Sequence, residues 1–475
     1  MLRPEAHPLK IFKAKRPVFD LFTYIYPGES VLKDRVAGKN SFTDHQTETM
    51  NPSAMIFPWI LQGLLLSGNF TALVSKWMGR QQEEFQIEKK ISLPLKTVSN
   101  FDLIPLKINR SVSLDFVLDT GFEPILLSEQ QPSDSVELNF VTSRLLKGLG
   151  TDEDLRVFYS IENSLHFSKQ ILPSQDIFLV SHHDFNLSSR VGTRINGVIG
   201  WDVFSRFVVE YKRDKGKLLL HNPLTFQYKP RKRDEIIPLK IYDTKPYVEC
   251  TVKLHDGTER PVFLMLDTGL TDALWLFSNH PAHMHFESEG NAVFLGRGLN
   301  GEVFGRQGLI QSIALGKYII REPLVSVLDS FSSPTPRVFA EGYRDGSIGN
   351  EIMSRFNAII DFRGQQLILR PGKRIRDSFS QNMTGLEVTQ PIRNLPYYVV
   401  DRVEPSSPGE EAGIIAGDEI AYLNGNPAST FTLESIQALF RSGSGVRLKI
   451  QVRRNKKLIT AVIILRQTAK PLKLL

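Results

Sequence analysis

The chain has 475 residues, 41% of them hydrophobic, which is enough for about two to four buried cores. Its formal net charge of +7 is spread along the sequence without an aromatic-interleaved basic stripe, which argues against nucleic acid as a partner. A single cysteine, Cys250, excludes an intramolecular disulfide framework and leaves the redox compartment open. Residues 1–84 read as an N-terminal extension, charged and irregular up to residue 48. The stretch 49–75 then carries no charge and is apolar over 55–60 and 64–66. Pro58, Gln62, Gly63, Gly68 and Asn69 weaken it as a spanning helix, and its distance from Met1 is wrong for a secretory signal. It is read either as a membrane or signal-like segment, making membrane association an expectation, or as a partly buried accessory segment.

Beyond residue 84 the chain repeats itself. Asp119-Thr120-Gly121 and Asp267-Thr268-Gly269 lie 148 positions apart, each closing an apolar run, 114–118 and 262–266. Asn196-Gly197-Val198-Ile199-Gly200 is echoed by Asp345-Gly346-Ser347-Ile348-Gly349, and Ser205-Arg206-Phe207 by Ser354-Arg355-Phe356. Phe167-Ser168-Lys169 parallels Leu315-Gly316-Lys317, and Leu93-Pro94-Leu95-Lys96 parallels Ile237-Pro238-Leu239-Lys240. One unit of domain size therefore occurs twice, over 85–228 and 229–376. Short apolar or alternating runs between Gly, Pro, Asn and Asp turns predict strands at 103–108, 157–161, 207–211, 218–220, 247–254 and 367–369. Short helical turns are expected only at 203–207 and 352–356.

This pattern resembles aspartic peptidases of the pepsin and retropepsin type, over about residues 85–375. The resemblance implies a mostly β fold in which two pseudo-twofold-related acid-protease barrel lobes lie on one chain, so that no homodimer is required. Two carboxyls at close range cannot both ionise, so one holds a proton while the other activates water. The expected catalytic pair is Asp119 and Asp267, with acid and base roles left open. Gly121 and Gly269 leave room beside the carboxyls. By resemblance, Thr120 and Thr268 bond across the lobe interface, and Gly148, Gly150, Gly298 and Gly301 belong to flap hairpins over the substrate. The position after each Asp-Thr-Gly is Phe122 or Leu270 rather than a hydroxylic residue, and Glu123 follows closely. Both features suggest an upward carboxyl shift and a higher pH optimum. The G-x-G-x-x-G match at 296–301 lacks the helical context of a dinucleotide site. His182, His183, His280, His283 and His285 do not have zinc spacing, so neither cofactor nor metal is expected.

A polar stretch reads as a linker over 377–384. After it, Gly417-Asp418-Glu419-Ile420 and Asn424-Gly425 resemble the PDZ domains of bacterial envelope proteases, over 385–467, with a helix at 433–440, a hairpin at 447–465 and a tail at 468–475. Gly385, Leu386 and Glu387 sit where such domains receive a peptide carboxylate. The expected partners are a polypeptide substrate and a peptide or protein tail at the PDZ groove. The run 453–457 reads as a solvated hairpin tip. Resemblance to exported members points to the cell envelope, with the cytoplasm still open. Two functions follow from these residues. One is an endopeptidase with a PDZ module that binds substrate or a partner peptide, recruitment and regulation both being open. The other is a catalytically inactive protease-fold scaffold that binds peptides through its PDZ domain.

Overall fold

The structure is a computed structural model that describes residues 90–146, 155–180, 186–277, 286–287, 292–298, 301–328, 337–339 and 342–474. The chain divides at residue 83, and all described residues lie in the second part. The segment 49–75, Gly148, Gly150 and the histidines at 182, 183, 280, 283 and 285 fall outside the described residues.

The molecule is mostly β, and its two sequence repeats have one topology. In the first, β1 (Leu114–Leu118) and β2 (Ile125–Leu127) flank β3 (Gly197–Ile199), which runs parallel to β1 and antiparallel to β2. The second repeats this with β4 (Glu259–Leu266), β5 (Leu274–Phe277), the hairpin strands β6 (Val293–Gly298) and β7 (Gly301–Leu309), and β8 (Gly346–Ile348). There β8 lies parallel to β4 and antiparallel to β5. The middle strands must begin with glycine, because a Cβ on Gly197 or Gly346 would sit 1.9 Å from the carbonyl oxygen of Leu126 or Trp275. The predicted strands are present, most of them a residue or more longer than the apolar run that signals them.

Besides α1 (Leu187–Val191), which the sequence does not signal, each repeat has a helical turn after its Ile-Gly pair: α2 (Trp201–Phe204) and α3 (Asn350–Met353). These turns begin earlier than the expected 203–207 and 352–356. Gly200 is the cap residue whose carbonyl accepts from Val203 and Phe204 (2.9 and 3.2 Å), and Gly349 does the same for Ile352 and Met353 (3.2 and 3.1 Å). The apolar spacing marks the buried face of the turn, whereas the glycine marks its start.

A six-stranded antiparallel sheet joins the repeats. Its order is Lys90–Pro94, Lys217–His221, Val208–Lys212, then Phe356–Asp361, Gln366–Pro371, Glu235–Pro238, with Val209 opposite Ile360 at the junction. One continuous apolar core runs through both repeats, while the C-terminal module has its own. In that module β9 (Leu386–Thr389) is the edge strand beside β10 (Val399–Val403), and α4 (Leu433–Phe440) packs on β9. The basic run is a hairpin tip, with Asn455 and Lys456 at φ 50° and 64° between Arg447–Arg454 and Lys457–Ile464. The tail returns to the second repeat, where Lys470–Pro471 pairs in parallel with Gly308 and Leu309 of β7 and Leu472 enters the main core.

Candidate functional site

The ends of β1 and β4 bring the two Asp-Thr-Gly turns together. The N–H of Asp119 donates to the Ile199 carbonyl (2.9 Å) and that of Asp267 to the Ile348 carbonyl (3.0 Å), so each turn is fixed by the neighbouring middle strand. Across the junction, Thr120 Oγ1 donates to the Leu266 carbonyl (2.6 Å) and accepts from Thr268 N–H (3.0 Å). Thr268 Oγ1 donates to the Leu118 carbonyl (2.8 Å) and accepts from Thr120 N–H (3.0 Å). Both threonines are buried, so losing either hydroxyl leaves backbone groups unsatisfied, at about 1–3 kcal/mol each.

This crossing sets the carboxyls of Asp119 and Asp267 in mutual contact. Asp119 Oδ1 accepts from Gly121 N–H (2.7 Å), while Asp267 Oδ1 accepts from Gly269 N–H (3.1 Å) and Leu270 N–H (3.0 Å). Burial first, then the negative charge of Asp267 and their shared hydrogen bond, push the Asp119 carboxyl well above its usual range. Burial also raises Asp267. Arg344 is the leading opposing influence, and the hydrogen bond from Asp119 works in the same direction. Both carboxyls are raised together, so the arrangement favours one proton shared between them.

Each glycine makes room for the carboxylate of the other repeat. A Cβ on Gly269 would fall 2.1 Å from Asp119 Oδ2, whereas one on Gly121 would lie 3.1 Å from Asp267 Cγ. The two alanine substitutions should therefore differ. Gly269→Ala should disperse the pair and lower any turnover by about 10²-fold or more, as expected when a reacting group is displaced by about 1 Å. Gly121→Ala should cost far less. Steady-state kinetics on both variants checks this order.

Several features of the site differ from the sequence-based expectation. Glu123 is exposed, and its charge acts on Asp202; the raised Asp119 carboxyl has its causes in burial and Asp267. At the position where a hydroxyl was missing, Leu270 supplies a backbone N–H to Asp267 instead. Arg344 is a buried cation whose Nη1 reaches Met265 Sδ (2.8 Å) and whose guanidinium lies 5.2 Å from the Phe277 ring centre. Beneath the pair, buried Asp102 bonds to Arg213 (2.6 Å), and Asn350 accepts from Arg213 (3.0 Å) while donating to Asp102 (3.1 Å) and the Asn100 carbonyl (2.6 Å). No local motif signals these residues, because their partners lie far away along the chain, and those of Asn350 lie in the other repeat.

Gly298 and Gly301 lie on the antiparallel hairpin β6–β7, whose register runs from Val293 opposite Gly305 to Gly298 opposite Gly301. The G-x-G-x-x-G match is thus part of a hairpin and not a strand–turn–helix unit.

The C-terminal module combines an edge strand with a flanking helix, and residues 399–454 match the family of PDZ domains. This module is a PDZ domain. No curated protein matches the chain. A PDZ domain accepts an extended peptide as a strand added to its sheet edge. At that edge, Gly385 is held at φ +69° and the Leu386 N–H already donates to Thr384 Oγ1 (3.1 Å). The Glu387 carboxyl is pushed up to about 7, chiefly by burial, with Arg190 and Arg441 opposing and Glu404 and Asp401 adding. An acid therefore stands near the position at which a peptide carboxylate was expected.

Proposed function

We propose that the chain is an aspartic endopeptidase formed by two pseudo-twofold acid-protease lobes, with a PDZ domain that engages peptide. The observation that carries this reading is the reciprocal Thr120–Thr268 bonding that sets Asp119 against Asp267. In this reading Asp267 is ionised and takes a proton from a water that attacks the scissile carbonyl. Asp119 gives its proton to the carbonyl oxygen as the tetrahedral diol forms. The proton gained by Asp267 then passes to the leaving nitrogen as the C–N bond breaks, and Asp119 recovers its proton from the diol hydroxyl as the carboxylic acid forms. The backbone N–H groups of Gly269 and Leu270 hold Asp267 in place through the cycle.

Turnover of reduced, unfolded casein between pH 3 and 8, absent from Asp267→Asn, tests the reading. Turnover that survives this change overturns it, and peptide binding without turnover by any form assigns the chain to the scaffold class. Arg344 provides a second check. Its charge favours the ionised form of Asp267, so Arg344→Met should move the acidic limb of the kcat/KM profile to higher pH. A profile unchanged on that limb would remove Arg344 from the account.

A further inference from the structure

We propose that the PDZ domain is closed by the chain itself, with the end of α1 as an internal ligand at the edge beside β9, and that this contact latches the β6–β7 hairpin of the second lobe. The regulatory half rests on the peptidase reading; the docking half does not.

The last carbonyls of a helix have no partner within it. At the end of α1 the Ser189 carbonyl accepts from the N–H of Gln390, the residue after edge strand β9 (2.7 Å), and the Arg190 carbonyl accepts from Gln437 Nε2 on α4 (3.3 Å). Gly192 closes α1 at φ +70°, so near the PDZ helix that a Cβ there would lie 2.8 Å from Leu433 Cβ. A segment of the first lobe thus contacts both walls of the groove, where an extended peptide would otherwise add.

Side chains of α1 and of the PDZ domain also reach the second lobe. Arg190 pairs with Asp401 of β10 at 3.5 Å, and its guanidinium lies 5.4 Å from the Phe294 ring centre on β6. Arg402 pairs with Glu302 of β7 at 2.5 Å and lies 4.6 Å from the Phe294 ring centre. Glu404 accepts from the Phe294 N–H (3.1 Å). Arg190 is therefore a point where first lobe, PDZ domain and hairpin meet. The tail strand 470–471 ties the base of the hairpin to the end of the PDZ domain. Partly exposed ion pairs contribute little singly, so the latch is a sum of small terms and readily reversed. In the latched state the hairpin is held against the PDZ domain and does not close freely over substrate.

Arg190→Glu in the full chain tests this, because it sets an acid against Asp401, Glu387 and Glu404. Backbone hydrogen exchange at 187–192 and at Gln390 should quicken at least tenfold, while the amides of Leu448 and Ile450 in the PDZ core keep their wild-type rates. Adding Asp401→Arg should restore slow exchange by reversing the pair. Casein cleavage by Arg190→Glu should rise several-fold. Unchanged exchange at Gln390, or acceleration spread through the PDZ core, overturns the docking. Faster exchange without faster cleavage overturns the latch. If neither wild type nor Arg190→Glu cleaves casein, the peptidase reading fails and the regulatory half with it, while exchange still decides the docking.

Discussion

Changing either Asp119 or Asp267 to Asn is expected to lower kcat/KM on unfolded casein by about 10²–10⁴-fold, with the double variant falling little further. In the peptidase reading the two carboxyls act on one water and one proton, so losing either disables the unit and the effects do not add. The Asn side chain preserves size, and in both turns its carbonyl oxygen can still accept from the backbone N–H groups now bound to the carboxylates. The fold should therefore survive. For Asp119 it should improve. The folded carboxyl binds its proton more tightly than the unfolded one, chiefly because it is buried. An acid raised in this way contributes stability at low pH and loses it as pH rises through the folded value. Asp119→Asn removes that penalty, so its Tm advantage over wild type should grow as pH rises above about 4, the ordinary aspartate range. A calorimetric pH series alongside the kinetics separates loss of chemistry from loss of structure. An Asp119→Asn variant that unfolds more easily at neutral pH would contradict the electrostatic account of the pair.

How far the sequence discloses this arrangement depends on the range over which each residue acts. The 148-residue spacing is legible because equivalent positions do equivalent local work. Ser168 and Gly316, offset by that number, both turn hairpins with left-handed backbones at φ 57° and 56°. The helix expected at 433–440 is α4, and its start is fixed locally, where the Thr432 hydroxyl accepts from the Ser435 N–H. Gly197, Gly200, Gly346 and Gly349 stand out because the chain passes too close for a side chain. What is not legible is the meaning of a charge. Arg213 sits in the charged run Lys212-Arg213-Asp214-Lys215-Gly216, yet its guanidinium is buried against Asp102. Arg344 precedes a recognisable motif without belonging to it. The short helix α1 has its carbonyl partners some 200 residues downstream, in another domain.

Arg213 also carries the largest expected effect on stability. Its pair with Asp102 has side-chain exposures of 8% and 0%, and Arg213 further donates to the Phe356 carbonyl at 3.2 Å. Thr97 Oγ1 donates to the second Asp102 oxygen at 2.6 Å, so the carboxylate is bonded on both sides. Removing one member of such a pair leaves the other charged and buried, at a cost of about 3–5 kcal/mol. For a chain of this size Arg213→Met should thus lower Tm by about 3–5 °C. Asp102→Leu should do comparable harm. The double variant removes both charges and should lose clearly less than the sum of the two, giving a coupling that thermal or urea unfolding can measure. Asn350 links this cluster to the site. Its own N–H donates to the Leu270 carbonyl at 2.6 Å, and Leu270 N–H holds Asp267. At temperatures well below unfolding, Arg213→Met should consequently reduce kcat more than it raises KM, since a loosened Asp267 turn impairs the chemical step more than contacts along the substrate. Strict additivity of the two single variants, with kcat unaffected, would mean that the cluster neither acts as a pair nor supports the turn above it.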